Sequence, residues 1–358
     1  MKEKELSRRD FIKGSTVAVT GAVILGLTEC RKAYAVSDTE QTAANNGNEA
    51  ETSSSLIPAY FSENLRSAVR KVREIMLGIG REGDAFVFIT DCHWRNNEKH
   101  SPALIRYVLK NTSVKMVVNG GDYLWGHRDT KQSAVNEIYA CVKSLEFHES
   151  GCRTFNVIGN HDHNTNNNQD KSTYLTAIEA YSLTQKENEN NDISYGGYNY
   201  YYWDNRAAQI RYVFFDRRAG AKPEEKTWLE EVMGTLPAGY SVICFIHGIY
   251  QAKKTDDGYI FAMEQQAVLD MFEPFKEKII CFVQGHAHMD GVFYAYNEQT
   301  EVPIIVTDCD CKNPVMTGVT ATVGTITEQC FDIMIVNRTK RLIHCIRVGR
   351  GADREISF

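Results

Sequence analysis

A chain of 358 residues with 40 Lys and Arg against 46 Asp and Glu, 10 Cys and 43% hydrophobic residues has the composition of an ordinary globular protein. That excludes a collagenous, wholly disordered or small disulfide-stapled chain. Residues 1–35 hold seven bases and four acids, so the remainder is more acidic than the formal net charge of −6 suggests, and no stable nucleic-acid partner is expected of a body without a basic footprint.

The segment Ser7-Arg8-Arg9-Asp10-Phe11-Ile12-Lys13, the uncharged run 14–28 and Ala33-Tyr34-Ala35 together resemble a twin-arginine signal peptide ending in an A-x-A cleavage site. The resemblance implies the twin-arginine export machinery as a partner and export of a folded chain across a bacterial cytoplasmic membrane, to the periplasm or beyond. The apolar run falls short of the roughly 20 residues that span a bilayer, so no permanent transmembrane span is expected. Glu29 beside Cys30 speaks against lipidation. Residues 36–55 hold four acids and no bases and read as a disordered acidic linker, which leaves 56–358 as one folded domain. Its nine cysteines have no regular spacing and predict no disulfide framework.

Apolar spacing predicts a helix over 62–77, closed by Gly78 and Gly80. A strand over 85–90 follows, then a helix from Ser101 as N-cap and Pro102 to about Lys110. The rhythm continues with strands 114–118, 154–158, 241–246 and 278–283 and helices near 135–145, 172–181 and 263–272. A hairpin is expected over 198–203 and 210–215, and strands near 292–296, 304–307, 331–336 and 342–348. Alternation of this kind predicts an α/β fold of two packed sheets with helices outside.

Nearly every expected buried strand runs into a metal-ligand side chain: Asp91-Cys92-His93, Gly121-Asp122, Gly159-Asn160-His161-Asp162, His247 and Gly285-His286-Ala287-His288. Strand carboxyl ends line one crevice in an α/β sheet, so these groups should converge. Asp91, His93, Asp122, Asn160, His247, His286 and His288 are mixed carboxylate, amide and imidazole donors, suited to two divalent ions such as Mn, Fe, Zn or Co. Gly121, Gly159 and Gly285 allow sharp turns off the strands.

These five motifs, in this order, resemble the calcineurin-like metallophosphoesterases. The resemblance implies a four-layer αββα sandwich of two mixed sheets flanked by helices. It also implies two metals, with Asp91, His93 and His288 on one, Asn160, His247 and His286 on the other, and Asp122 bridging. The function so implied is hydrolysis of phosphate mono- or diesters. Two cations about 3.5–4 Å apart would supply hydroxide from a shared water near neutral pH, and His161 would protonate the leaving group while Asp162 orients its imidazole. A silent metal-dependent scaffold is the other reading, against which His161 and Asp162 stand. Purple acid phosphatases resemble the same pattern but carry Gly at the first His and Tyr three residues past the second Asp. Here those positions are His93 and Trp125, and no tyrosinate-iron chromophore is expected.

Arg95 and Asn164, close behind the motifs, are candidate substrate contacts. His127 and His163 could touch substrate or serve only in their loops. Cys92, between two ligands, should turn its thiol away from the metals, and Cys309-Asp310-Cys311 reads as buried or strand cysteines rather than a metal or redox pair. Tyr198, Tyr200, Tyr201, Tyr202 and Trp203 read as strand aromatics rather than a stacking platform.

Overall fold

Consecutive apolar residues in a strand are stable only where both faces of the sheet are covered, and the fold supplies that cover. The structure, a computed structural model, describes residues 57–80, 83–166, 169–184, 193–197, 200–215, 222–296, 301–312 and 319–358. The expected signal segment, the linker and residues 198–199 of the hairpin lie outside them.

In chain order, α1 (Ser62–Ile79), β1 (Gly83–Ile89), α2 (Ser101–Asn111), β2 (Met116–Asn119), α3 (Lys131–Ser144) and β3 (Arg153–Asn156) come first. Then follow α4 (Ala177–Thr184), β4 (Ser194–Tyr195), β5 (Tyr200–Asn205), β6 (Ile210–Phe215), α5 (Pro223–Gly234) and β7 (Ser241–Ile246). The remainder is β8 (Tyr250–Thr255), β9 (Gly258–Met263), α6 (Gln266–Phe272), β10 (Ile279–Gln284), β11 (Gly291–Ala295), β12 (Val302–Val306), β13 (Cys330–Asn337), β14 (Leu342–Gly349) and β15 (Arg354–Ser357). One sheet has the order β15-β14-β13-β1-β2-β3, the other β11-β12-β10-β7-β6-β5-β4, and β8 and β9 form a separate hairpin. The strands β1, β2 and β3 run parallel, as do β6, β7, β10 and β12, with antiparallel strands at the flanks.

Alternation within each strand sorts the core into layers. Phe86 and Phe88 of β1, Tyr212 and Phe214 of β6, and Ile243 and Phe245 of β7 fill the space between the sheets. Phe214 stacks on Phe245 at 5.0 Å and on Phe155 at 5.1 Å there. The intervening residues Val87 and Ile89 face α1, α2 and α3, whereas Val213, Phe215, Cys244 and Ile246 face α5 and α6. This is the expected αββα sandwich of two mixed sheets.

Local signals set the ends of the elements, with differences from expectation. Gly80, at φ +63°, closes α1 by donating to the Met76 carbonyl, and Gly78 stays helical. Ser101 is the first residue of α2 rather than its cap, and its hydroxyl donates to Asp310 instead. Around 171–173 the chain forms a separate turn capped by Asp170, so α4 starts five residues later than expected. Residue 263 belongs to β9, not to a helix. Tyr200 and Tyr201 are buried against Phe215 and Phe214, as strand aromatics. Among the described residues no helix is long and apolar enough to cross a membrane.

Candidate metal centre

The carboxyl ends of β1, β2, β3, β7 and β10 open onto one rim. Backbone bonds lash the first two turns together there, with the Asp91 N–H donating to the Gly121 carbonyl at 2.9 Å and the His93 N–H to the Asp122 carbonyl at 3.0 Å. The turns are tight enough that only glycine fits: a Cβ on Gly159 would lie 2.1 Å from Asp122 Oδ1, and one on Gly285 2.3 Å from Asp91 Oδ2. Asp91, His93, Asp122, His286 and His288 all hold left-handed backbone with φ between 38 and 65°. Each such non-glycine residue stores roughly 1–3 kcal/mol, a cost that collects where function over-determines structure.

Each of the two aspartates divides its work. Asp91 Oδ2 accepts from Thr90 Oγ1 and from the His286 N–H, both at 2.7 Å, while Oδ1 is buried without a hydrogen bond. Asp122 Oδ1 accepts the His161 N–H at 2.9 Å, and its buried Oδ2 makes no hydrogen bond. The imidazoles are aimed at those two oxygens. His93 and His247 hold Nδ1 against the carbonyls of Leu124 and Gly120, at 2.9 and 2.7 Å. A carbonyl accepts only, so Nδ1 carries a proton and each Nε2 faces inward, able to offer a cation its lone pair once it holds no proton itself. His247 Nε2 lies 3.1 Å from Asp122 Oδ2 and 4.0 Å from Asp91 Oδ1. His288 Nε2 lies 3.2 Å from Asp91 Oδ1 and 3.1 Å from His93 Nε2. Asn160 adds a buried Oδ1 with no hydrogen bond.

Buried carboxylate oxygens are costly unless positive charge, from protonated imidazoles or a metal ion, sits among them. The donor atoms of Asp91, His93 and Asp122 lie within 4.8 Å of one another, as do those of Asp122, His247 and His286, and Asp122 belongs to both groups. These residues therefore fit two divalent ions sharing one carboxylate. Burial works to raise the carboxyls of Asp91 and Asp122, but the neighbouring imidazoles, His247 foremost, together hold both below the ordinary range. Burial likewise works to lower His247, yet Asp122 draws it up to about 9. Burial, with His288 nearby, takes His93 down to about 4.

Of the nine residues expected to hold metal or act in catalysis, all stand on this rim, but Asp162 does a different job. Its Oδ1 accepts the Tyr123 N–H at 2.7 Å, and its Oδ2 accepts those of Asp122 and Gly159 at 2.9 and 2.7 Å. It clamps the Asp122 turn and does not orient His161, whose Nδ1 lies against the Trp125 carbonyl. The expected substrate contact at Asn164 is corrected too. That residue is wholly buried, accepting from the Arg128 N–H at 2.6 Å and donating to the carbonyls of Arg128 and Thr173. Arg95 is exposed beside the rim, and His127 is exposed next to Trp125. His163 is buried with Nδ1 on the Leu175 carbonyl, a loop role. Cys92 is buried in the hydrophobic core beneath α3.

Three neighbours were not anticipated. Trp125 sets its ring edge-on to His93 at 4.7 Å. Glu264, directly after β9, brings Oε2 to 3.4 Å from His286 Nε2. Cys311, in the loop after β12, groups with His93 and His288.

A family model for calcineurin-like phosphoesterases matches residues 85–290. The chain is similar in fold to a dimetal phosphatase from Danio rerio, with TM-score 0.51 and 15% identity over 77% of this chain and 99% of that one. Similar to a lesser degree is a phosphopantetheinyl hydrolase from Mycobacterium tuberculosis, with TM-score 0.37 and 12% identity over 64% and 90% of the chains. No curated protein matches.

Proposed function

The chain belongs to the calcineurin-like phosphoesterases, and from that premise we propose that it hydrolyses phosphate mono- or diesters at a dinuclear centre. Asp91, His93 and His288 would hold one divalent cation, Asn160, His247 and His286 the other, and Asp122 both. The pair supplies, when bound, Lewis-acid polarisation of the phosphoryl group and of water. The observation that carries this reading is the convergence of Asp91 Oδ1, Asp122 Oδ2 and His247 Nε2, all buried without hydrogen bonds, with His247 Nε2 3.1 Å from Asp122 Oδ2 and 4.0 Å from Asp91 Oδ1.

The chain's own residues supply proton handling and alignment. His161 keeps Nδ1 on the Trp125 carbonyl, which points Nε2 into the crevice 3.7 Å from Asp122 Oδ2. A proton on that Nε2 neutralises the departing alkoxide, which matters most when the leaving group is poor. Asp162 contributes through the backbone it clamps. Export rests on the arginine pair, apolar run and A-x-A site of residues 1–35, and places the reaction outside the bacterial cytoplasmic membrane.

Metal analysis of the purified protein, followed by assay on p-nitrophenyl phosphate and its bis-ester with added Mn, tests the proposal. Two ions per chain and metal-dependent release of p-nitrophenol are expected. A fully loaded protein that releases none would sink it and leave a metal-binding scaffold.

A further inference from the structure

Beyond the seven expected ligands, a sulfur stands at the first metal position. Cys311 is wholly buried, and Sγ lies within 4.8 Å of a ring nitrogen of both His93 and His288. Its place is built by the backbone on either side. The Asp310 N–H donates to the Thr90 carbonyl at 3.0 Å, and the Lys312 N–H to the Asn96 carbonyl at 3.1 Å. Two bonds one residue to each side of Cys311 thus pin it alongside the 91–95 turn that carries Asp91 and His93. Asn97 fastens both strands of this contact, donating Nδ2 to the Cys92 and Asp310 carbonyls at 3.0 and 2.8 Å.

The spacing suits coordination. With bonds of 2.0–2.1 Å to nitrogen and oxygen, adjacent donors around one cation stand roughly 3 Å apart, and slightly more to sulfur. Asp91 Oδ1, His93 Nε2 and His288 Nε2 stand 3.1, 3.2 and 4.0 Å apart. Cys309 also faces His288, but its thiol donates to the Cys311 carbonyl at 3.9 Å and lies 3.5 Å from an Arg350 nitrogen. Cys311 is the sulfur grouped with both histidines.

We propose that Cys311 Sγ is a further ligand of the cation held by Asp91, His93 and His288, making the two positions chemically unequal. A thiolate selects Zn or Co over the harder Mn at that position. The second position, with Asn160, His247 and His286, keeps only oxygen and nitrogen donors. The proposal rests on the dinuclear reading above.

Loading the metal-free protein with Co(II) tests it without assaying activity, because a thiolate bonded to Co(II) adds a sulfur-to-metal charge-transfer band in the near ultraviolet. The band is expected in the wild type, retained in Cys309→Ser and lost in Cys311→Ser. Zn affinity should fall by about 10–100-fold in Cys311→Ser while Mn affinity stays within about twofold. Two Co per chain and no such band would overturn this inference and leave the metal centre standing, whereas no Co uptake would overturn both. A band lost in Cys309→Ser and kept in Cys311→Ser would also overturn it. Should Cys311→Ser fail to fold, the wild-type and Cys309→Ser spectra still decide the matter.

Discussion

Asp332, in the middle of β13, and Asp91, two residues past β1, are both wholly buried, and Asp332 lies opposite Phe88 in the neighbouring strand. Their surroundings differ. Asp332 Oδ1 accepts from Arg347 Nε at 2.8 Å, and Oδ2 accepts from Thr307 Oγ1 at 2.8 Å, from Arg347 and from Arg354. Asp290 joins Arg347 from the other side at 2.7 Å. Protein cations thus match Asp332 completely. Asp122 Oδ2 and Asp91 Oδ1 make no hydrogen bond and face the imidazole nitrogens of His247 and His288, groups that can give up a proton in favour of a metal ion. A buried charge answered from within the chain holds structure together, and one left unanswered awaits a charge from outside.

The largest effect separates these two kinds of aspartate. Asp122→Ala should lower kcat/KM by about 10³-fold or more, as losing the shared ligand removes several kcal/mol of electrostatic stabilisation. The metal-free variant should unfold in urea no more easily than the metal-free wild type. Asp332→Ala should do the reverse. It leaves Arg347 buried without its main partner and costs about 3–5 kcal/mol of stability, while the folded fraction keeps its metal and turnover. Unfolding midpoints and metal content measured on both variants check the pair. Loss of metal from a fully folded Asp332→Ala protein would break the distinction.

A second pair of variants divides the rim itself. His161→Ala should keep its metal but slow hydrolysis of poor leaving groups by about 10²–10⁴-fold, with a smaller loss on p-nitrophenyl esters. Asp162→Asn replaces one accepting oxygen by a donor and deprives backbone N–H groups of their partner, costing about 1–3 kcal/mol. Its activity should fall by the same factor on good and poor leaving groups, because it acts through the Asp122 turn. Rates across a series of aryl esters distinguish the two. A leaving-group dependence in Asp162→Asn equal to that of His161→Ala would restore Asp162 as the orienter of the imidazole.

How much of this was legible follows the physics of each signal. Long apolar runs such as 85–89 and 241–246 announce strands buried on both faces, and ligand-type side chains directly behind them announce the rim. The helix α5 carried a readable pattern in Trp228, Leu229, Val232 and Met233, all of which are buried, but its charged flanks obscured it. The hairpin of β8 and β9 has little apolar alternation, since Lys253 and Lys254 are exposed. Adjacency in sequence suggests that Asp162 serves His161, whereas three backbone N–H groups claim its oxygens. A thiol ligand such as the one proposed at Cys311 leaves no local signal, because the histidines it groups with lie more than twenty residues away in the chain. Tertiary contact, not local pattern, assigns such roles.

The smallest predicted effect lies at the opposite end of β1, where Asp84 is the counterpart of Asp91 on the same strand. Asp84 Oδ2 accepts from the Tyr212 hydroxyl and from Asn205 Nδ2, both at 2.5 Å, and Oδ1 from the Ala85 N–H at 2.9 Å. These are neutral donors, so burial prevails and the carboxyl titrates above its ordinary range. A carboxyl raised in the folded state contributes stability that is fully present at acid pH and is lost as pH rises through its folded value. Asp84→Asn removes that dependence, since the amide stays neutral throughout. Relative to the wild type, the variant should gain stability between acid and alkaline pH, by an amount on the order of 1 kcal/mol. Urea midpoints of both proteins across that range measure it. A difference that does not change with pH would mean that the neutral donors satisfy the Asp84 charge as fully as Arg347 and Arg354 satisfy that of Asp332, and the line between answered and unanswered charge would have to be drawn elsewhere.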